Sequence, residues 1–233
     1  RIAMADLAAN VTMLEEVLGF EHLDGSYWTL EVELFFYAQM LFWFMSGQLK
    51  RIHWIIAAWL AMTVIYAETE RHHLHFSYTL RELLILRHIP FFALGILFYR
   101  IHARSGSPFQ NLALIALSLA AIGLSKPPVY LLAGTVCCAI FALFVTGRLR
   151  WLSAVPFVFL GSISYSLYLL HQAIGFALIH RLEAAGVSSL AAVGIVVLVV
   201  LALATALTFA VERPVMRLLR DAWRRRGHSS GVS

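Results

Sequence analysis

The feature that most constrains this chain is a series of long apolar runs separated by short polar segments. A helix that crosses a bilayer needs about 20 mostly apolar residues. Solid runs also exclude a transmembrane barrel, whose strands are short and alternate between apolar and polar residues. We therefore predict an all-α, polytopic transmembrane helix bundle of about seven helices, over residues 28–45, 52–67, 83–101, 112–124, 129–146, 157–179 and 190–211.

Composition excludes the competing classes of protein. Hydrophobic residues make up 61% of the 233 residues and charged residues 13%, against roughly 45–50% and 25% in soluble domains. A soluble protein of this size cannot bury so much apolar surface, and a disordered chain has the opposite composition. A bilayer is the environment that this composition fits.

The basic residues are sorted between the two sides of the predicted bundle. If the helices alternate in direction, one side holds five basic residues, which are Arg1, Arg71, Arg81, Lys126 and Arg181. The other side holds twelve, in the 50–51, 100–104 and 148–150 loops and in the tail from residue 213. The positive-inside rule then predicts a cytoplasmic C-terminal tail, and it explains the net charge of +5 without nucleic acid.

These patterns divide the chain into three parts. Residues 1–27 are predicted to form an outward-facing lead-in segment with a short helix, 28–214 the membrane bundle and 215–233 a basic cytoplasmic tail. The chain begins with Arg1 and has no signal peptide before the first apolar run, which suggests a fragment or a processed product.

Two carboxylates lie at the start of the first predicted helix. Glu31 and Glu33 are two positions apart, or about 200° around a helix, so they cannot share a face. Glu31 lies nearer the helix start, where it can reach water, and Glu33 is expected to point into the bundle. A buried carboxylate suits acid–base work, although packing against an arginine or a hydroxyl is the alternative.

Arg87 lies within the third apolar run, three residues before Pro90. Pairing with Glu33 is one interpretation of this arginine, and snorkelling to the outer surface is the other. The proline is expected to kink the helix.

Polar residues also mark the sixth run. Ser164, Tyr168 and His171 recur at positions i, i+4 and i+7, and therefore line one face of a helix, with Tyr165 beside them. Such a stripe should face protein or a polar cavity, either as a site or through hydrogen bonds between helices.

Two further motifs favour a structural interpretation. Glu212 and Arg213 are adjacent at the predicted cytoplasmic interface, where the pair can anchor a helix end before Pro214. The histidines of residues 72–75 lie in a loop without an evident ligand geometry, so we predict no metal site.

At these residues the chain resembles the acyltransferase 3 family of integral-membrane O-acyltransferases. Residues 25–37 read GSYWTLEVELFFY and are similar to the family signature W-[ST]-L-x-x-E-x-x-F-Y. Residues 160–171 read LGSISYSLYLLH and resemble its G-x-x-S-Y-x-x-Y-L-x-H segment, and 212–214 match its E-x-P ending. The order and spacing agree, and the resemblance covers nearly the whole chain.

The resemblance implies transfer of an acyl group, often acetyl, from a cytoplasmic thioester such as acetyl-CoA to a carbohydrate hydroxyl. The acceptor would be an exported glycan or a lipid-linked sugar, and the location a bacterial inner membrane. Glu33 takes the place of the signature glutamate and is predicted to be catalytic. The expected substrate-binding residues are Trp28, Tyr37, Arg87, Ser164, Tyr165, Tyr168 and His171. No bound cofactor, metal or nucleic acid is expected.

One departure from the family pattern limits this expectation. Members carry an upstream helix with an arginine and the histidine thought to be the base, and no part of this sequence matches it. His171 matches a different motif and does not replace that histidine. We therefore expect the chain to be inactive alone. A membrane transporter and a non-catalytic membrane scaffold are the alternatives.

Overall fold

The structure, a computed structural model, describes residues 28–73 and 78–229. The regular elements in these ranges are all helical, which confirms the predicted fold class. The α-helices are α1 (Trp28–Met45), α2 (Ile52–Arg71), α3 (Tyr78–Leu83), α4 (Ile89–His102), α5 (Pro108–Ser125), α6 (Pro128–Val145), α7 (Val155–His171), α8 (Ala173–Ala184), α9 (Ser189–Leu207) and α10 (Arg213–Ser229). The predicted lead-in of residues 1–27 and the end of the tail, 230–233, lie outside the described residues.

Fewer helices than predicted are long and apolar enough to cross a membrane. In the described ranges four stretches qualify, or five if the bent pair α7–α8 forms one span, so a count of about seven is not confirmed. The four stretches are Gln48–Arg71, Pro108–Ser125, Pro128–Val145 and Ser189–Arg224. Helix α4 has 14 residues and is therefore about 21 Å long, shorter than a hydrocarbon core of about 30 Å.

The described helices form two compact units, one within Trp28–Arg150 and one within Trp151–Ser233. The N-terminal unit is built around α2, α4 and α5. Its core contains Ile56 and Leu60, which lie one turn apart on α2 and are fully buried. Helix α6 comes close to α5 at Gly134, where a Cβ atom would lie 3.2 Å from Cδ1 of Ile122.

The third predicted helix does not extend over 83–101, because the chain breaks at residues 84–88. Ile85 adopts a positive φ of 47°, and Pro90 lies in the first turn of α4. In a continuous helix the Pro90 ring would clash with the carbonyl of Leu86, so a new helix begins instead of a kinked one. The Leu86 carbonyl accepts a hydrogen bond from the buried Thr63 hydroxyl at 3.2 Å, which attaches the break to α2.

The C-terminal unit is organised by α9, against which both α7 and α8 pack. A stripe on α9 with a spacing of four residues is buried, and its members are Ala192, Val196, Val200 and Ala204. The predicted sixth span is broken at Gln172, where α7 and α8 meet at a bend of 61°. Helix α9 continues through a π-helical segment, Thr208–Glu212, into the basic amphipathic helix α10.

Candidate functional site

The two carboxylates of α1 differ from the sequence-based expectation. Glu31 is buried, with 3% of its surface exposed, whereas Glu33 is only half-buried. The two carboxylates differ in burial because only one face of α1 packs against the core. Leu30 is buried beside Glu31, and Phe35, one turn further on, packs against the core of the N-terminal unit. Sequence reasoning placed Glu31 near water because of its position at the helix end, and the structure corrects this.

Glu33 has a hydroxyl partner on its own helix. The Tyr37 hydroxyl, one turn later, donates a hydrogen bond to Oε1 of Glu33. More than half of the Tyr37 surface is exposed, so the pair lies on the accessible face of α1. Glu33 is therefore oriented by a neighbouring hydroxyl and remains accessible to a further ligand.

Aromatic contacts connect the start of α1 to the break before α4. The Trp28 ring lies 5.5 Å from the His88 ring, centroid to centroid. Trp28 and Glu31 are three residues apart and thus share one face of α1. His88 was not among the predicted site residues, although its place beside Arg87 in an apolar run is the signal that could have found it.

Arg87 does not pair with Glu33. Its Nη2 atom lies 3.9 Å from Oε2 of Glu70, and both side chains are about half exposed. Arg87 also affects the pKa of Lys126, which lies between α5 and α6. Burial is the larger cause that lowers this pKa, and the positive charge of Arg87 is the smaller one. The positive charge of Lys126 also lies 4.7 Å from the centre of the Tyr130 ring. Arg87 therefore belongs to a partly exposed charged cluster at one end of the unit.

The predicted polar stripe of α7 lines a cavity in the C-terminal unit. The cavity has a volume of about 530 Å³, and Ser164, Tyr168 and His171 form its polar wall. The opposite wall is apolar and comes mainly from α9, through Val193, Val196, Val197 and Val200. Pockets with apolar walls and a few convergent polar groups are the usual form of small-molecule sites.

One ring nitrogen of His171 is used in a hydrogen bond to its own helix. Its Nδ1 atom lies 2.6 Å from the backbone carbonyl oxygen of Tyr168. A carbonyl oxygen only accepts, so Nδ1 is the donor in this contact, and Nε2 is the ring nitrogen left for a ligand. His171 can therefore present Nε2 to a ligand hydroxyl.

The four predicted residues of the α7 motif do not all line the cavity. Tyr165 is 47% exposed and is not part of the cavity wall. The Ser164 hydroxyl donates to the Gly161 carbonyl at 2.8 Å, within its own helix. Three of the four predicted α7 residues are therefore brought together around the cavity, and Tyr165 is not.

A buried chain of hydroxyls connects α7 to the π-helical segment. Thr208 donates to Oγ of Ser166 at 2.9 Å, and Ser166 donates to Oε2 of Glu212 at 3.1 Å. Both hydroxyl residues are at most 2% exposed. Ser166 and Thr208 were missed from the sequence, because neither departs from what an apolar helix tolerates. Segments of π-helix occur often at functional sites, since the extra residue re-aims a side chain.

Glu212 and Arg213 do not act as an adjacent ion pair. The Glu212 carboxylate turns toward Ser166, while the Arg213 guanidinium stacks on the Phe209 ring at 4.0 Å. The two residues of the predicted interface anchor therefore make separate contacts. Glu212 is held by a hydrogen bond within the unit, and Arg213 by a cation–π contact.

Metal ligation has no candidate group in the part of the chain that the structure describes. No cluster of three or more His, Cys, Asp or Glu side chains there could hold an ion. His72 and His73 are exposed at the end of α2, and His75 lies outside the described residues.

A family model described as an acyltransferase domain matches residues 7–211. The chain belongs to the acyltransferase 3 family. The match includes the α1 carboxylates and the α7 motif, and it ends one residue before Glu212. No curated protein and no solved structure gives a significant match. Family membership establishes a membrane protein of the acyltransferase class.

Proposed function

We propose that this protein is part of a membrane O-acyltransferase that moves an acetyl group from acetyl-CoA to a hydroxyl of a carbohydrate or envelope glycan. The observation that carries the proposal is the family match over residues 7–211. The apolar helices and the polar groups of α1 and α7 support it. The transporter alternative gains no comparable support.

The reaction needs a base and a stabilised oxyanion, because an alcohol is a poor nucleophile at neutral pH. The acceptor oxygen attacks the thioester carbonyl carbon, and the carbon–sulfur bond breaks. The hydroxyl proton passes to the base and then to the departing thiolate, which leaves as the free thiol. The base proposed from the family pattern is a histidine that residues 1–233 do not match, so these residues are proposed to be inactive alone.

Glu33 is proposed to be the residue of this chain that acts on the base. A carboxylate beside a histidine orients the ring and stabilises its charged form. Support comes from the accessible position of Glu33 and from the Tyr37 hydroxyl that orients its carboxylate. Trp28, at the start of the same helix, is proposed to contact substrate.

The C-terminal cavity is proposed to bind substrate through its polar wall. Ser164, Tyr168 and His171 offer hydroxyl and imidazole groups that match a carbohydrate or a thioester carbonyl. Tyr165 and Arg87 have weaker support as substrate ligands, because Tyr165 is outside the cavity wall and Arg87 is near Glu70. The proposed location is a bacterial inner membrane, and the basic tail supports a cytoplasmic C-terminus there.

The proposal is tested in cells by comparing an intact gene, a deletion and a Glu33→Gln variant of the full-length product. Mass spectrometry of envelope glycans should find acetyl groups that disappear in the deletion strain. The variant should lose them as well, at an unchanged amount of membrane-inserted protein. The matched control is Glu183→Gln, since Glu183 is an exposed carboxylate of α8. Normal acetylation in the deletion strain would refute the proposed substrate class, and normal acetylation by Glu33→Gln would refute the role of Glu33.

A further inference from the structure

The N-terminal unit contains a second cavity, between α1 and α2. Its volume is about 810 Å³, larger than that of the C-terminal cavity. The wall is mostly aromatic and aliphatic. Its lining side chains include Phe42, Trp43, Gln48, Arg51, Trp54 and Trp59. We call this cavity the α1–α2 groove. It opens at the surface, because Phe42 and Trp54 are each more than 60% exposed.

One end of the α1–α2 groove is cationic. The wall consists of described residues, and Arg51 is the single charged residue among them. The Arg51 side chain is exposed, and it forms no ion pair with another residue that the structure describes. Gln48 lies at the same end and adds a neutral amide. The groove thus offers a guanidinium that has no counter-ion among residues 28–73 and 78–229, beside an apolar channel.

Arg51 lies at the start of a candidate membrane span, where lipid headgroups are expected. The candidate membrane span Gln48–Arg71 begins three residues before it. From Arg51 the lining residues of α2 continue to Met62, which corresponds to about 16 Å along a helix. A positive charge at the membrane surface would match a lipid phosphate, and the apolar channel that extends inward would match an acyl chain.

We propose that the α1–α2 groove binds one anionic phospholipid. Its phosphate would lie on the Arg51 guanidinium, whose planar fork of donors suits phosphate oxygens. An acyl chain would follow Trp43, Trp54 and Trp59 along the groove. Basic pockets between transmembrane helices bind anionic headgroups in this way. An apolar helix in the same place would leave the guanidinium without a counter-ion, which favours the lipid. The inference is independent of the proposed acyl transfer.

Tryptophan fluorescence tests this site directly, since three of the six tryptophans line the groove. The full-length protein is reconstituted in phosphatidylcholine vesicles that contain increasing fractions of brominated phosphatidylglycerol or brominated phosphatidylcholine. Bromine quenches a nearby indole. The anionic lipid should quench at a mole fraction roughly fivefold lower, which corresponds to about 1 kcal/mol per basic residue. Inorganic phosphate should not reverse the quenching.

Two variants and one control make the test specific. Arg51→Gln should remove the preference for phosphatidylglycerol, and Lys50→Gln, a neighbour that does not line the groove, should retain it. Trp54→Phe should reduce the quenching amplitude while the preference stays. Equal quenching by both lipids in the wild type, a preference retained by Arg51→Gln, or an unchanged amplitude in Trp54→Phe would each overturn the proposal.

Discussion

Ser166 on α7 donates a hydrogen bond to the Glu212 carboxylate, at 3.1 Å and 46 positions apart in the sequence. Thr208 donates to the same serine oxygen, so the two hydroxyls form a relay that ends on the Glu212 carboxylate. This relationship connects the α7 motif to residues 212–214 in the tertiary structure. The same helix also supplies the polar wall of the C-terminal cavity.

We expect Glu212→Ala to destabilise the protein, because the buried Ser166 hydroxyl loses its acceptor. An unsatisfied buried hydroxyl costs about 1–3 kcal/mol. Thermal unfolding of the full-length protein in detergent measures the change, and Ser166→Ala combined with Glu212→Ala should be less destabilising than the sum of both. The coupling should be about 0.6 kcal/mol and at most about 1.7 kcal/mol. Additive effects would show that the two side chains do not interact.

The control for this cycle is Glu183→Ala. Glu183 is an exposed carboxylate, and its Oε2 atom lies 4.0 Å from Nδ1 of His180. Exposed ion pairs contribute little, so the unfolding temperature should stay within error of the wild type.

We expect the two amide substitutions of His171 to differ in activity. Glutamine places its amide near the position of Nε2, and asparagine places its amide near Nδ1. Because Nδ1 of His171 already bonds to the Tyr168 carbonyl, Nε2 is the atom available to substrate. In the full-length protein His171→Gln should therefore retain more acyl transfer than His171→Asn, with the difference in KM for the acceptor. Equal losses with an unchanged KM would indicate a purely structural histidine.

We expect Tyr37→Phe to lower the rate of acyl transfer less than Glu33→Gln does. The Tyr37 hydroxyl orients the Glu33 carboxylate without replacing it. A hydrogen bond to a charged group contributes about 1.5–3 kcal/mol, which corresponds to roughly 10- to 100-fold in rate. Acetyl transfer in membrane fractions measures this, with protein amount determined by immunoblot. A larger loss of acyl-transfer rate in Tyr37→Phe than in Glu33→Gln would contradict this prediction.

We expect Lys126→Gln to change how stability depends on pH. Burial and the Arg87 charge place the pKa of Lys126 below that of an unfolded lysine. The unfolded chain then binds more protons between the two pKa values, so native stability rises with pH in that window. Lys126→Gln should reduce this rise, and Arg87→Gln should reduce it partly. Unfolding temperatures from neutral pH to the ordinary lysine pKa test it, and identical slopes in all three proteins would contradict the cause.

The sequence by itself determined the helical class, the membrane environment and the family. These properties depend on local patterns, since a long apolar run excludes other folds and short motifs identify relatives. The bounds of α1 were also predictable, because Trp28–Met45 is one uninterrupted run. The i, i+4, i+7 spacing of Ser164, Tyr168 and His171 likewise placed them on one wall.

Only the tertiary structure decided which polar groups face inward and which pair with one another. Glu31 rather than Glu33 is buried, because the packing of α1 selects the face that meets the core. The break at residues 84–88 is stabilised by Thr63, 23 positions before its acceptor. Ser166 meets Glu212 because α7 packs against α9 and a π-helical segment re-aims the carboxylate. Such contacts join residues far apart in the sequence, and no local pattern specifies them.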